Sequence, residues 1–88
     1  MRPSLVDVGG VYMGKDGNHY GVIDRGAHLM ARSVFKRETA SPLIEFCRVA
    51  PGEQGEYRVL MGTKLVRTAY MFAKDMVEPV ADAKVSEV

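Results

Sequence analysis

Apolar and polar residues alternate most clearly over residues 8–24, VGGVYMGKDGNHYGVID. Two short runs of β-branched and aromatic residues flank the segment GKDGN, whose glycines and Asn18 tolerate the positive φ that a tight turn requires. The pattern predicts a β-hairpin with its return strand over residues 19–24. We interpret the rest of the chain as further strands added to this hairpin.

The later apolar runs are short, because turn residues separate them. Alternation and turn signals predict strands over the ranges 28–35, 43–49, 56–61, 64–67 and 77–80. In the run 43–49, LIEFCRV, the apolar residues occupy both parities, so we expect both faces of this strand to be covered. The predicted architecture is mainly β, a small barrel of five or six antiparallel strands.

The character of the sequence changes at Thr68, which precedes the run 69–76. The residues of this run do not alternate and are compatible with a helix, and Thr68 is a favourable N-cap, so we predict a short C-terminal helical turn. The residues after the 77–80 strand are polar, and we expect 81–88 to be a disordered tail. Residues 1–80 would then form a single β-barrel domain.

The bulk composition is that of an ordinary globular protein, with 88 residues, 47% apolar and 26% charged. Its one cysteine, Cys47, cannot form a disulfide within the chain, and its place in an apolar run predicts that it is buried. No apolar stretch approaches the roughly 20 residues of a membrane span. We therefore expect a soluble protein of the reducing cytoplasm.

The segment 9–16, GGVYMGKD, differs from a phosphate-binding loop only at its last position, where Asp16 replaces Ser or Thr. Its interior is strand-like and turn residues follow it, whereas a phosphate-binding loop leads into a helix. The two histidines, His19 and His28, lack the close ligand spacing of zinc sites. We therefore expect a protein that is not an enzyme and has no catalytic residues, no metal site and no cofactor.

Positive charge is concentrated in the middle of the chain, although the formal net charge of the whole is only +1. Residues 25–67 contain eight Lys and Arg against four Glu, an excess of four positive charges. A local excess of this kind attracts acidic partners or nucleic acid even where the total charge does not.

The hairpin segment GKDGNHYGVID resembles the glycine-punctuated hairpin of KOW-type domains, which are small SH3-like barrels of ribosomal proteins and transcription factors. The resemblance is carried by Gly14, Lys15, Gly17, Gly21 and Val22. It implies an SH3-like form of the predicted barrel and a role in binding RNA or DNA. The residues expected to contact nucleic acid in that case are Lys15, His19, Tyr20, Arg25 and Arg58.

The overall layout, from VGGVYMGKDGNHYGVID to RTAYMFAKDMVEPV, resembles small phage and prophage open reading frames. Such proteins often act as stoichiometric modulators of host enzymes or of host defence complexes, including CRISPR inhibitors. The resemblance implies an accessory protein of a phage or mobile element. Its partner would be a host protein or a protein–nucleic-acid complex.

Surplus apolar surface on the predicted 28–35 strand points to protein binding. If its other face fills the core, then Met30 and Val34 point outward. Together with Arg32 and Arg48 they form the predicted protein-binding site, unless a homodimer covers that face. A protein-binding module is thus the leading interpretation, and a KOW-like nucleic-acid-binding domain is the alternative.

Overall fold

The computed structural model describes residues 1–25 and 42–86 of the chain. A 3-10 turn, Pro3–Leu5, comes first. The regular elements that follow are β1 Gly10–Gly14, β2 His19–Asp24, β3 Leu43–Pro51, β4 Glu56–Val59, β5 Leu65–Thr68, α1 Ala69–Asp75 and β6 Met76–Val85. The predicted strand over 28–35, with Met30, Arg32 and Val34, lies outside the described residues.

The described strands form one six-stranded sheet in the order β2-β1-β6-β4-β3-β5. A further pairing between β2 and β3 joins five of these strands into a nearly closed ring and leaves β5 outside it. The prediction of a mainly β fold is confirmed. The prediction that all strands are antiparallel is wrong, because β4 and β6 run parallel. A parallel pair requires a crossover connection, and β5 with α1 supplies it.

β4 and β5 both pair with β3 along the same edge, with an interruption between them. Val59 lies opposite Val49, and Leu65 lies opposite Phe46, so residues 60–64 face only two residues of β3. Thr63 Oγ1 bridges the gap, because it donates to Leu60 O at 2.6 Å and accepts from Arg48 N at 3.0 Å. The strands predicted over 56–61 and 64–67 therefore both pair with the same edge of β3, and a loop separates them.

The apolar side chains form two clusters, one on each side of the ring wall. The interior of the ring holds Val11, Cys47 and Val49, with Ile23, Tyr57, Val59, Val80, Ala83 and Val85 packed against them. The outer face of β1, β2 and β3 carries the second cluster. There Tyr12, Val22, Ile44 and Phe46 meet Val6, the helix residues Ala69, Phe72 and Ala73, and Met76 at the start of β6. The wall formed by these three strands is covered on both faces, as the LIEFCRV pattern predicts.

Helix α1 packs on this outer face and begins where the sequence predicts. Thr68 is the N-cap, and its hydroxyl accepts a hydrogen bond from Met71 N at 3.1 Å. Phe72 is directed inward and meets Phe46 with a ring-centroid distance of 4.6 Å. Because α1 has only seven residues, its position depends on this packing rather than on intrinsic helix stability.

The last strand, β6, continues to Val85, whereas the sequence predicts a strand end at residue 80 and a disordered tail after it. Lys84 lies opposite both Gly10 of β1 and Glu56 of β4. Val80, Ala83 and Val85 contribute apolar side chains to the ring interior. Residues 81–85 are ordered because they close the ring. Polar residues lie between the apolar ones in this segment, so the sequence pattern does not indicate a strand there.

Candidate protein-binding surface

A groove of about 300 Å³ lies between α1 and the part of the outer sheet face that the helix leaves uncovered. Its floor consists of Tyr20, Phe46, Phe72 and Met76, and we call it the aromatic groove. Phe46 is central, since its ring lies 4.6 Å from that of Phe72 and 6.0 Å from that of Tyr20. These rings belong to the outer cluster or pack against it, so the floor is fixed by the core.

Four charged residues stand on the rim of the aromatic groove: Lys15, Asp16, Arg67 and Asp75. Asp16 is held internally, because the Tyr20 hydroxyl donates to its Oδ2 at 2.6 Å and the Asn18 amide donates to its Oδ1 at 2.9 Å. The hydrogen bond from Tyr20 is the main cause of a lowered pKa for Asp16, and the same bond raises the pKa of Tyr20. Asp16 is therefore part of the turn structure.

Glycine at position 14 allows this turn to form. A Cβ on Gly14 would lie 2.7 Å from Asp16 Oδ1 and 2.8 Å from the Tyr20 ring, so any larger residue would displace both groups. The turn that the sequence predicts over GKDGN is thus confirmed, with Gly17 at a φ of 88°. The near-match to a phosphate-binding loop folds as a strand and a turn rather than as a loop leading into a helix.

The stretch from β5 into α1 presents an unusual amount of apolar surface. Eight large apolar side chains are exposed among the described residues, and four of them, Leu65, Val66, Tyr70 and Met71, fall within this stretch. Tyr70 is 56% exposed and points away from the buried face of the helix. We call the exposed side chains of residues 64–67 together with Tyr70 and Met71 the β5–α1 surface.

The chain segment that carries the β5–α1 surface has charge of one sign only. Residues 57–74 contain four cations, Arg58, Lys64, Arg67 and Lys74, and no Asp or Glu. Lys64 Nζ lies 3.7 Å from Glu45 Oε2 on the neighbouring strand, whereas Arg67 makes no salt bridge with the described residues. A ligand at this surface therefore meets apolar side chains bordered by positive charge, which favours an acidic partner.

A second groove opens at one end of the ring, with a volume of about 910 Å³. Val8, Val59, Leu60 and Met61 line it, and Met61 is 91% exposed. Strand β2 ends at this rim, and beyond Arg25 the chain continues into residues outside the described set. Because the chain beyond Arg25 is not described, the exposure of these apolar side chains does not show that this end of the ring is free to bind a partner.

The predicted contact residues are dispersed in the structure. Lys15 and Tyr20 line the aromatic groove, while the His19 ring lies 5.3 Å from Tyr57 at the ring interior. Arg58 lines the groove at the ring end, and Arg25 Nη1 donates to Val6 O at 2.8 Å. The five residues of the nucleic-acid alternative therefore do not form one surface.

Of the predicted protein-binding residues, Arg48 is described and exposed. It lies opposite Tyr20 across the β2–β3 pair, and its Nη2 donates to Asn18 Oδ1 at 3.3 Å. The sequence pattern does not mark Leu65, Arg67 or Phe72 as surface or groove residues. The absence of acidic residues over 57–74 is the signal that could have identified this region.

Metal ligands, the thiol and membrane-spanning helices can each be assessed in the described residues. No three His, Cys, Asp or Glu side chains in ranges 1–25 and 42–86 are grouped so that they could hold a metal ion. Cys47 is buried in the ring interior, and that burial raises the pKa of its thiol. No helix in the described part of the chain is long and apolar enough to cross a membrane.

The resemblances to KOW-type hairpins and to small phage proteins involve short or non-specific patterns. The described hairpin has the predicted turn, which many unrelated β proteins also contain. The hairpin alone therefore assigns the chain to no family. None of the protein-family models, curated proteins or solved structures compared with this chain matches it.

Proposed function

We propose that the protein is a non-enzymatic protein-binding module that recognises its partner through the β5–α1 surface. The observation that carries the proposal is the concentration of exposed apolar side chains in a short stretch without acidic residues. Exposed apolar side chains concentrated in one part of a small domain mark a site of interaction. The aliphatic side chains Leu65, Val66 and Met71 match the apolar contacts of a protein partner better than the phosphates of a nucleic acid.

The resemblance of the sequence to small phage and prophage open reading frames suggests a biological role for this binding. If the protein is an accessory factor of a phage or mobile element, then the partner is a host protein or a host nucleoprotein complex, such as a defence complex. A stoichiometric modulator acts by occluding the surface of its target, so it requires a rigid contact surface rather than a catalytic centre. The aromatic core beneath α1 provides that rigidity.

We further propose that the five-strand ring is a distorted SH3-like barrel. The short β1–β2 hairpin, the small apolar interior and the helical turn before the last strand support this assignment. Two features depart from that architecture: β4 and β6 pair in parallel, and a loop interrupts the pairing of β4 and β5 with β3.

The test is an affinity capture from host lysate with matched surface variants, in the presence of nuclease. Leu65→Asp places a negative charge in the β5–α1 surface, whereas Val8→Asp places the same charge on a residue of similar exposure at the ring end. We expect a partner that the wild type and Val8→Asp retain and that Leu65→Asp loses.

Loss of the partner with Val8→Asp instead would move the binding site to the ring end and contradict the proposal. Binding that disappears on nuclease treatment, or that falls steeply as salt rises, would indicate a nucleic-acid ligand. Unfolding curves of both variants show whether each one retains its fold.

A further inference from the structure

Strand β5 forms one end of the sheet, and in the described part of the chain its only strand neighbour is β3. In an antiparallel pair, the N–H and C=O of one residue point to the same side, and successive residues alternate between the two sides. The four residues of β5 therefore direct part of their backbone hydrogen-bonding groups away from the sheet. An edge of this kind is a template for another extended chain.

The hydrogen bonds of Arg48 establish which residues of β5 point outward. Its N–H donates to Thr63 Oγ1 and its C=O accepts from Leu60 N, so residue 48 of β3 points toward the β4–β5 side. By alternation Glu45 points to the other side, toward β2. Val66 lies opposite Glu45, so the N–H and C=O of Val66 point to the open edge.

The side chain of Arg67 gives independent evidence for this orientation. Its Nη1 donates to Val66 O at 2.8 Å. If the Val66 carbonyl pointed toward β3, its oxygen would face that strand and this side chain would not reach it in the same way. The guanidinium thus covers the one outward carbonyl in the middle of the strand. Charged side chains at strand edges commonly limit unwanted pairing in this way.

A carboxylate is a better partner for Arg67 than a backbone carbonyl is. Both bonds have the ionised guanidinium as donor, but a carboxylate adds an opposite charge and two oxygens that can accept in a bidentate geometry. A ligand that presents a carboxylate would therefore draw the guanidinium away and leave Val66 O available to the ligand's own backbone. Lys15 adds a further positive charge to the rim of the aromatic groove, and Asp16 and Asp75 are the acidic residues of the rim that oppose it.

We infer that the partner enters as an extended, acidic and apolar peptide segment that adds a strand to the free edge of β5. This inference rests on the proposed function and specifies its mode of recognition. Backbone hydrogen bonds to Val66 supply the alignment. Because side chains alternate along β5, Val66 contacts the apolar side chains on one face of the added strand, and Arg67, beside Leu65 on the other face, selects for a carboxylate. Selectivity for acidic segments follows from the absence of Asp and Glu over residues 57–74.

The test uses synthetic peptides with blocked termini and the full chain labelled with ¹⁵N. The probe alternates Val and Glu, and the charge control alternates Val and Lys. A third peptide is the Val/Glu probe with N-methyl groups on the amides of alternate residues, so that one edge cannot donate hydrogen bonds. A fourth peptide carries the N-methyl groups on the remaining amides, so that the opposite edge cannot donate hydrogen bonds.

We expect the Val/Glu peptide to perturb the Val66 amide resonance and slow its hydrogen exchange. The Val/Lys peptide should bind at least about tenfold more weakly, as the loss of a charge-assisted hydrogen bond predicts. One of the two N-methylated peptides should lose binding by about tenfold or more while the other retains it, since only one edge of the peptide faces β5.

Arg67→Gln should reduce the preference for Glu over Lys, whereas the control Arg58→Gln, on β4, should leave most of it. Equal binding of both N-methylated peptides and the parent would overturn strand addition, because side-chain docking alone does not need those amides. The proposed function fails separately, if Leu65→Asp leaves the lysate partner bound. Retention of a partner that depends on Leu65, without any effect of N-methylation, would refute only the strand-addition mode.

Discussion

At the scale of single residues, the β1–β2 turn is organised around the carboxylate of Asp16. Its two oxygens accept hydrogen bonds from the Tyr20 hydroxyl and from the backbone and side-chain amides of Asn18. Arg48 then extends the network from β3 to Asn18. The side chain that breaks the match to a phosphate-binding motif thus serves to fix a turn and one wall of the aromatic groove.

We expect Tyr20→Phe to raise the pKa of Asp16 toward the ordinary value of about 3.9. The hydroxyl of Tyr20 is the largest cause of the lowered pKa, and phenylalanine cannot donate that bond. A pH titration of the Asp16 carboxyl carbon by NMR measures the change. Tyr57→Phe, on the other side of the ring wall, is the control and should leave the titration of Asp16 unchanged.

The sign of the pH dependence follows from the direction of this shift. Because the pKa of Asp16 is lowered in the folded protein, its interaction with Tyr20 is fully present above the pKa of the unfolded chain. It is lost as the pH falls through the folded-state pKa. The difference in unfolding free energy between wild type and Tyr20→Phe should therefore shrink on acidification. A difference that grows below pH about 4 would contradict this account.

At the scale of elements, α1 depends on its cap and on one buried face. The first turn contains no acidic residue, so Thr68 is the main side-chain support for the helix N-terminus. Ala69, Phe72 and Ala73 are buried against the outer face of the ring. The β5–α1 surface keeps its shape because the opposite face of this short helix is anchored.

Replacing Thr68 with alanine should lower the free energy of unfolding by about 1 kcal/mol, the usual effect of losing an N-cap. The backbone N–H of Met71 would lose its acceptor. Thr68→Ser keeps the hydroxyl and should retain most of the stability. Urea unfolding measures both variants, and equal loss in the two would assign the effect to the threonine methyl group instead of the cap.

The elements show which parts of the fold a sequence pattern can predict. The β1–β2 hairpin, the β3 strand and the Thr68 cap depend on local chemistry, and each lies where the pattern predicts it. The extension of β6 to Val85 and its parallel pairing with β4 depend on distant parts of the chain. No local signal encodes such a pairing, and the polar residues after position 80 by themselves predict a disordered tail.

The candidate site was harder to predict from the sequence for the same reason. The exposure of Leu65 and Val66 depends on β5 lying at the end of the sheet order, which is a property of the whole topology. The burial of Phe46 and Phe72 beside each other depends on how α1 returns to the sheet. The sequence alone shows apolar residues in these positions but does not show which of them face solvent.

At the scale of the whole molecule, one sheet wall serves two cores. Strands β1, β2 and β3 present one face to the ring interior and the other to α1. The ring interior is narrow at Gly21, where an added Cβ would meet the Val85 side chain and lie 2.9 Å from Val49 Cγ1. Glycine at this position lets the last strand approach β2 closely.

Gly21→Ala should therefore destabilise the fold by about 1–3 kcal/mol, the typical effect of overpacking a well-filled core. Adding Val85→Ala to this variant removes the closer of the two contacts and leaves the one with Val49, so the double variant should be more stable than the sum of the two single effects predicts. Thermal unfolding of the wild type, both single variants and the double variant completes the cycle. Strictly additive effects would show that Gly21 and Val85 do not meet.

The closure of the ring also affects how the chain folds while it is being synthesised. β1 ends at Gly14 and pairs with β6, which begins at Met76, so one seam joins segments more than sixty residues apart. Pairing at such separation is slow compared with hairpin formation. On the ribosome, the hairpin can form early, but the apolar wall residues remain uncovered until the final strand emerges. A translating chain of this kind is most vulnerable to proteases and chaperone capture in that interval.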